Sequence, residues 1–444
     1  MFGYKVWRLL PILCVLGCDG GERAEVRTET GGALVNKQLA EKPAPGDWLL
    51  IHSLSDPEQL NPLTSNDAAA SSILQYIVQS LLTRDPRTLE LKPLLAASRP
   101  SISADKLSYT FTIRRDAHFQ DGRPLTGEDV LFSVKAIKCP LVNAPFLRVY
   151  FNSVVDARLL DEFTVQFTID EPYFLNESVL GGIDVLPRHY YDPGNLLKDV
   201  KVSDLAKPLE QLPENVKKFA DDFNRNYSRT PMGSGPYKLA SWNTGREIEL
   251  MRDPQYWGYG KEGIDQPYLD RHKYRIINNM DAALVTLKSG SLDEMGLTPI
   301  QHVRGTSSER FTREFAKYEF FAPNYSYIGW NNDHPIFGDK RVRKAMTYFT
   351  NRRQMVKSIL FGLGEVVEGP IYFFRPEYDK TLPSYEFDPA KGLELLKESG
   401  WSDTDGDGIL DKMIDGRRVP FSFELKINSG NTTRKSVALT LQDE

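Results

Sequence analysis

Cysteine is scarce in this chain, with three residues in 444. Cys14 and Cys18 lie close to the N-terminus, which leaves Cys139 alone in the rest of the sequence. A single cysteine cannot form an internal disulfide, so the folded part is expected to depend on its hydrophobic core. With 41% hydrophobic and 26% charged residues, the composition is that of a globular protein of about two to four domains.

An excess of positive charge is also missing. The net charge is −5 and the isoelectric point is near 5.8, which argues against a nucleic-acid-binding protein. One arginine-rich segment, 339–360, has its apolar residues at core spacing, so its basic residues are expected on solvated faces. Within it, Asn351 and Gln354 form a capping-box pattern that predicts two consecutive helices.

Catalytic motifs are missing as well. The six histidines are scattered, with no H-E-x-x-H or other metal-ligand spacing: His52, His118, His189, His272, His302 and His334. There is no glycine-rich phosphate loop, and the glycines around Ser234 do not fit the nucleophile-elbow pattern G-x-S-x-G. The sequence therefore predicts neither an enzyme nor a bound cofactor, and a peptidase or metalloenzyme is kept only as an alternative.

The N-terminus has an apolar run too short to span a membrane. Lys5 and Arg8 precede the run Leu9–Leu16, which falls well short of the ~20 residues that a span needs. Residues 1–18 are therefore predicted to be a signal peptide. Their end, Val-Leu-Gly-Cys, resembles the lipobox of bacterial lipoproteins, which implies acylation of Cys18. An ordinary secretory signal is the alternative. The polar stretch 19–46 is predicted to be a flexible tether.

The following residues alternate between strand and helix patterns. Trp48–Ile51 suits a buried strand, and the apolar spacing of Ala69–Leu82 predicts a helix that Asp67 could cap. Tyr109, Phe111 and Ile113 alternate with polar residues as in a strand, and Thr126 with Asp129 fits a helix start. A second alternating stretch, Phe163–Ile169, completes an α+β module.

Four segments together resemble the bacterial extracellular solute-binding proteins of family 5, the oligopeptide- and dipeptide-binding class of ABC-transporter receptors. They occur in the family's order and span most of the chain from Asp47 onward. The segments are LNPLTSNDAAASSILQYIVQSLLTRD, YTFTIRRDAHFQDGRPLTGEDVLFSV, GSGPYKLASWNTGREIELMRDPQYWG and YIGWNNDHPIFGDKRVRKAMTYFTNRRQMV.

The resemblance implies an α/β fold of the two-lobed periplasmic-binding-protein type with an additional α+β subdomain. By segment match, residues 47–76 and 229–328 would form lobe I, residues 77–228 an inserted subdomain, and residues 329–444 lobe II. A hinge between the lobes would close on a ligand lying in the cleft. Closure is driven by ligand contacts that exist only in the closed state, so both lobes are expected to touch the ligand.

The implied function is capture of peptides or similar extended solutes for an ABC-transporter permease. The protein would be a monomer in the periplasm or cell envelope, anchored to the membrane by lipid on Cys18. In the family, the ligand pairs through its backbone in a β-like conformation. By segment match, the ligand-binding residues would be Asn66, Asp67 and Ala68 from the first lobe, and Tyr325, Tyr327 and Trp330 at the lobe crossing. The alternative is that Tyr327 and Trp330 belong to the core.

Two other functions remain open. The family's fold hosts several ligands, so an oligosaccharide or a metal chelate could replace the peptide. The segment SDTDGDGILDKM has calcium-loop spacing at Asp403, Asp405, Asp407 and Asp411, which motivates a calcium-stabilised structural lipoprotein. An EF-hand needs a second helix and a glutamate at loop position twelve, where Ile414 stands. The segment is therefore predicted to be a helix-to-strand turn, with weak calcium binding as the alternative.

The C-terminal residues FSFELKINSGNTTRKSVALTLQDE are predicted to form a strand and then a helix. Family members continue past this point, so the chain is expected to be a fragment of a longer receptor. The resemblance implies that the further segment would complete both lobes and would supply an acidic partner for the amino terminus of a peptide.

Overall fold

The computed structural model describes residues 45–443, with Arg87 and Pro376 excepted. These residues form two compact units. The larger unit comprises residues 45–278 and 289–295, and the smaller unit comprises residues 279–288 and 296–443. The predicted signal peptide and all but the last two residues of the predicted tether lie outside the described residues. The assignment of lobes and inserted subdomain stays a prediction.

Twelve strands are assigned in the described residues. Those of the larger unit are β1 (Gly46–Ser53), β2 (Leu82–Arg84), β3 (Leu91–Pro93), β4 (Ser101–Ile102), β5 (Ser108–Thr112), β6 (Val154–Asp161), β7 (Thr164–Ile169), β8 (Tyr237–Asn243), β9 (Glu247–Arg252) and β10 (Leu269–Ile276). The smaller unit has β11 (Asp411–Ile414) and β12 (Arg417–Pro420).

Twelve α-helices are assigned in the described residues. The larger unit has α1 (Ala68–Leu74), α2 (Gly127–Lys138), α3 (Pro145–Arg148), α4 (Asn176–Gly181), α5 (Arg188–Tyr191) and α6 (Glu214–Asn226). The smaller unit has α7 (Met280–Lys288), α8 (Glu309–Glu314), α9 (Lys340–Phe349), α10 (Arg352–Ser358), α11 (Pro389–Glu398) and α12 (Thr432–Asp443). Among the described helices, none has both the length and the apolar character that crossing a membrane requires.

One four-stranded sheet of the larger unit has the order β1-β10-β9-β8. Strand β1 pairs with β10 in parallel, with Ile51 opposite Tyr274, and the other pairs are antiparallel. The sheet therefore joins the predicted strand at Trp48–Ile51 to a strand more than two hundred positions later in the chain. Its inward residues Ile248, Leu250 and Tyr274 are buried in the core of the unit.

The second four-stranded sheet, β4-β5-β7-β6, is antiparallel and packs against α2. The predicted alternation is confirmed, because Phe111 and Phe167 are fully buried and meet edge to face at 5.7 Å. The predicted start of α2 is also confirmed. The Asp129 carboxylate accepts the Thr126 backbone N–H at 3.0 Å, which satisfies a donor that the helix leaves unpaired.

Helix α1 ends earlier than its apolar pattern predicts. Asp67 caps it as expected, because its carboxylate accepts the Ala70 N–H at 2.7 Å, but the helix stops at Leu74 instead of Leu82. The following carbonyls bond elsewhere: Tyr76 accepts from the Tyr237 N–H at 3.1 Å, and Ile77 accepts from the Gly235 N–H at 2.8 Å. Tertiary hydrogen bonds thus replace the helical ones, and the apolar residues after Leu74 are buried by the surrounding unit.

The smaller unit has its own core around α9 and α11. Val342, Ala345 and Met346 are buried there, as their spacing predicts, together with Trp401. The predicted break between α9 and α10 is confirmed, because the Asn351 side chain accepts the Gln354 N–H at 3.0 Å.

After α11 the aspartate-rich segment leads directly into β11, so the predicted helix-to-strand turn is confirmed. The strand predicted for 421–428 is not formed, because β12 ends at Pro420. Phe421 still donates its N–H to the Leu410 carbonyl at 2.6 Å, and Phe421 and Phe423 pack on the core of the smaller unit. The alternating pattern therefore describes burial here without a paired strand. The predicted C-terminal helix is formed as α12.

The contact between Tyr76–Ile77 and the Gly-Ser-Gly segment leaves no room for side chains. A Cβ on Gly235 would overlap the Tyr76 carbonyl oxygen, closer than real Cβ atoms approach. We predict that Gly235→Ala lowers the free energy of unfolding by about 1–3 kcal/mol, because the backbone must shift and its hydrogen bonds weaken. Urea unfolding followed by circular dichroism measures the change.

Gly296→Ala is the matched control, because a Cβ at that position meets no atom within 4 Å. We expect it to leave the unfolding midpoint near that of the unsubstituted protein. Equal midpoints for the two variants would show that the close approach at Gly235 is unimportant for stability.

Candidate functional site

The loop before α1 is held in place by a buried asparagine. The Asn61 side-chain oxygen accepts the backbone N–H groups of Leu63 at 3.0 Å and Thr64 at 3.3 Å. Its amide nitrogen donates to the Phe223 carbonyl at 3.4 Å. These bonds anchor the loop to α6, so the residues that follow Thr64 start from a fixed position.

The three predicted ligand-binding residues of this loop differ in their surroundings. Asn66 and Ala68 are exposed, and Asp67 between them is half-buried. One Asp67 oxygen caps α1, and the other accepts the Glu58 N–H at 3.3 Å. Asp67 therefore orients the loop through backbone donors, whereas Asn66 and Ala68 present their surfaces to solvent. Contact with a ligand stays a prediction for all three.

The predicted aromatic residues lie in the smaller unit. Tyr327 is 76% exposed, and its ring lies 5.6 Å from that of Tyr325, which is also exposed. Trp330 is half-buried and stacks on Phe337 at 4.7 Å. Trp330 thus packs on the core, as the alternative interpretation allowed, whereas Tyr327 does not. The structure brings the aromatic residues together in one unit and Asn66–Ala68 together in the other.

A cleft of about 460 Å³ in the larger unit was not foreseen from the sequence. It lies where β8 turns into β9 and where β10 ends, and it is lined by Asn243, Gly245, Arg246, Glu247, Arg275, Ile276 and Ile277. The Asn-Thr-Gly sequence of residues 243–245 is typical of a tight turn. The cleft itself also needs the end of β10, which comes from a separate part of the chain, so the local pattern gave no signal for it.

Polar contacts fix the turn that borders this cleft. The Asp56 carboxylate accepts the indole N–H of Trp242 at 2.8 Å and the backbone N–H of Gly245 at 2.6 Å. The Arg229 guanidinium lies 3.9 Å from the centre of the Trp242 ring, as in a cation–π contact. The turn is therefore held from both sides by contacts within the larger unit.

A buried polar network lies under the Gly-Ser-Gly segment. The Gln79 side-chain oxygen accepts the Ser234 hydroxyl at 3.0 Å and the Trp257 indole N–H at 2.9 Å. Its amide nitrogen donates to the Tyr256 hydroxyl at 2.8 Å. Ser234 is 1% exposed, so its hydroxyl serves this network and is not presented to a substrate.

His272 on β10 is buried between two tyrosine rings. Its ring lies 4.5 Å from that of Tyr76 and 4.4 Å from that of Tyr237. Burial lowers the pKa of His272 from 6.5 to about 4, because the surroundings do not solvate the charged imidazolium. The histidine is therefore neutral in the folded protein at neutral pH.

The aspartate-rich turn in the smaller unit brings carboxylate oxygens of Asp403, Asp405 and Asp411 within 4.8 Å of one another. These oxygens already accept hydrogen bonds or pair with a charged group of the neighbouring residues. Asp403 accepts the Gly406 N–H at 2.7 Å, and Asp405 pairs with an arginine of β12. The Thr404 hydroxyl donates to Asp411 at 2.7 Å, and this bond lowers the pKa of the Asp411 carboxyl. The fourth predicted ligand, Asp407, accepts the N–H of Ile409. The carboxylates therefore build the turn.

Comparison with known proteins identifies the class of protein. The model of the bacterial extracellular solute-binding proteins, family 5 (middle), matches residues 90–444. The chain belongs to this family. It is accordingly a solute-binding protein with an α/β fold and not an enzyme, as the sequence predicted.

The oligopeptide-binding protein AppA of Bacillus subtilis is 31% identical over 420 residues, which cover 92% of this chain and 68% of AppA. The chain spans 63% of the length of two further curated relatives. The structure of Bacillus subtilis AppA in complex with a nonapeptide superposes with a TM-score of 0.71 at 29% identity, covering 90% of this chain and 73% of AppA.

A second solved structure, NikZ from Campylobacter jejuni in complex with Ni(L-His), has a TM-score of 0.69 at 25% identity. The superposition covers 90% of this chain and 71% of NikZ. Structures with a peptide ligand and with a metal-chelate ligand thus share the fold of this chain.

The low pKa of His272 makes folding stability depend on pH. In the unfolded chain the His272 imidazole binds a proton at about pH 6.5, whereas in the folded chain it does so only near pH 4. His272 therefore supports full stability above pH 6.5, and this contribution is lost as pH falls from 6.5 towards 4. We expect a loss of about 2 kcal/mol, allowing for partial solvent screening of a 1.36 kcal/mol effect per pKa unit.

Urea unfolding at pH 7.5, 6.0, 5.0 and 4.5 measures this dependence in the protein and in His272→Gln. The variant has no titrating group at this position, so its stability should fall less steeply over this range. For each protein, the free energy of unfolding at each pH is expressed relative to its value at pH 7.5. This removes any effect of the substitution on stability that does not depend on pH. Parallel curves would refute the role given to His272.

Proposed function

We propose that this protein captures peptides or similar extended solutes outside the cytoplasm and delivers them to an ABC-transporter permease. The observation that carries the proposal is the similarity to the oligopeptide-binding protein AppA over 92% of this chain. The fold match to AppA in its nonapeptide complex supports the same ligand class.

The proposed mechanism is closure of a hinge around the ligand. A ligand shifts an open–closed equilibrium only through contacts that differ between the two states, so groups on both sides of the hinge are expected to take part. The proposed contacts are the exposed residues Asn66 and Ala68 of the loop before α1 and Tyr327 at the predicted lobe crossing. Asp67 acts by fixing the loop, and Trp330 supports its segment by packing on Phe337.

Recognition through the peptide backbone fits this set of residues. Backbone pairing supplies affinity that does not depend on side chains, and broad aromatic surfaces accept varied side chains. Tyr325 and Tyr327 offer such a surface, because both rings are exposed and adjacent. We therefore propose broad specificity for peptide sequence.

A metal chelate is the second candidate ligand. The observation that favours it is the fold match to NikZ in complex with Ni(L-His) at 25% identity. Thermal-shift measurement with tetrapeptide pools in one arm and nickel with L-histidine in the other distinguishes the two candidates. If the nickel–histidine chelate raises the melting temperature and the peptide pools do not, the metal chelate becomes the proposed ligand.

The proposal includes a lipid anchor at Cys18. The lipobox-like end of the signal peptide motivates it, and the polar tether would let the folded part reach ~30 Å from the membrane. In this arrangement the receptor stays close to its transporter.

We predict that Tyr327→Ala weakens binding of a random tetrapeptide pool by at least about 5-fold, because it removes a large contact surface. Asp67→Ala should weaken binding similarly, because the loop loses its cap. Asp67→Ser should retain most of the affinity, because serine also caps a helix. Isothermal titration calorimetry with the full chain measures all three.

Tyr150→Ala is the matched control, because Tyr150 is 64% exposed and lies outside the predicted contacts. It should bind the pool like the unsubstituted protein. If Tyr327→Ala and Asp67→Ala also bind with unchanged affinity, the assignment of these contacts is wrong.

For the anchor, we predict that Cys18→Ser moves the protein from the membrane fraction to the soluble fraction of a bacterial host that processes lipoproteins. Acyl chains on the cysteine are the attachment, and serine cannot form the thioether that begins it. Immunoblots of the two fractions give the result. Cys14→Ser, in the apolar run that precedes Cys18, should remain in the membrane fraction, and equal fractionation of the two variants would exclude Cys18 as the anchor.

A further inference from the structure

The charges around the cleft at the β8–β9 turn favour a negatively charged ligand group. Three arginines surround the turn, Arg229, Arg246 and Arg275, against two carboxylates, Asp56 and Glu247. The local balance is therefore positive in a chain whose net charge is −5. An anion would meet a more favourable potential here than over most of the surface.

Four of these five charged groups already have partners. Asp56 accepts two N–H groups of the turn, and Arg229 donates to the Thr244 hydroxyl while it covers Trp242. Arg275 donates to the Ser291 carbonyl at 2.9 Å and lies 3.8 Å from the Glu247 carboxylate. These contacts hold the wall of the cleft and leave their groups little freedom to reach a ligand.

Arg246 differs from the others. Its backbone is fixed, because its N–H donates to the Asn243 carbonyl at 3.0 Å and its carbonyl accepts the Ile276 N–H at 2.9 Å. Its side chain is exposed at the cleft, and within the described part of the chain it makes no ion pair and no side-chain hydrogen bond. A guanidinium on a rigid turn can bind a carboxylate with two parallel hydrogen bonds.

We infer that this cleft receives a carboxylate of the bound solute, with Arg246 as the group that pairs with it. This inference rests on the proposed function and names the chemistry of one part of the ligand. The cleft volume of about 460 Å³ lies within the range of small-molecule sites, so a side chain or a chain end fits. Two sources supply this chemistry in a peptide, an acidic side chain and the C-terminal carboxylate.

Four tetrapeptide pools distinguish the sources. Their second residue is either Asp and Glu or Asn and Gln, and their C-terminus is either a free carboxylate or a carboxamide. Calorimetry with the unsubstituted full chain should show about 5-fold tighter binding for a carboxylate over its neutral counterpart, at the side chain or at the C-terminus. The position that shows the preference identifies the source.

Arg246→Gln should abolish this preference. Arg225→Gln is the matched control, because it removes the same charge from an exposed arginine on α6 and should retain the preference. If the unsubstituted protein binds all four pools equally, the inference fails while the proposed function stands. A preference that persists in Arg246→Gln also overturns it, and binding of no pool overturns both the inference and the proposed function.

Discussion

The close approach of two backbone segments is the constraint on which the larger unit depends. The carbonyls of Tyr76 and Ile77 accept N–H groups from Tyr237 and Gly235, and only glycine fits where the chains meet. Gln120 reinforces the contact, because its side-chain nitrogen donates to the Tyr237 carbonyl at 2.6 Å. These bonds occupy carbonyls that a longer α1 would use, so they end the helix. They also fix the position of Tyr237, where β8 begins.

Both candidate binding regions of the larger unit follow from this contact. Towards the N-terminus, the short helix α1 begins at the Asp67 cap, so the exposed loop residues lie one helix away from the fixed point. In the other direction, β8 leads to the turn at Gly245 and hence to the cleft beside Arg246. Rigid elements thus position exposed groups, which limits the entropy lost when a ligand binds.

Local sequence patterns, such as helix caps and strand alternation, predict much of this fold. The features that they do not predict depend on tertiary contacts. The caps at Asp67 and Asn351 and the alternation around Phe111 depend on neighbouring residues, so the sequence predicted them. The end of α1 depends on hydrogen bonds to residues far along the chain, which periodicity cannot reveal. The cleft beside Arg246 was missed for the same reason, whereas the ligand contacts proposed for Tyr327 came only from resemblance to the family.

The central claim is that the chain is a receptor whose ligand is a peptide of variable sequence. Native mass spectrometry of the full 444-residue chain with a random tetrapeptide pool tests it most directly. The account predicts one peptide per chain, with bound masses spread across the pool. Spectra that show the free chain alone, or peptide adducts without a defined stoichiometry, would contradict it.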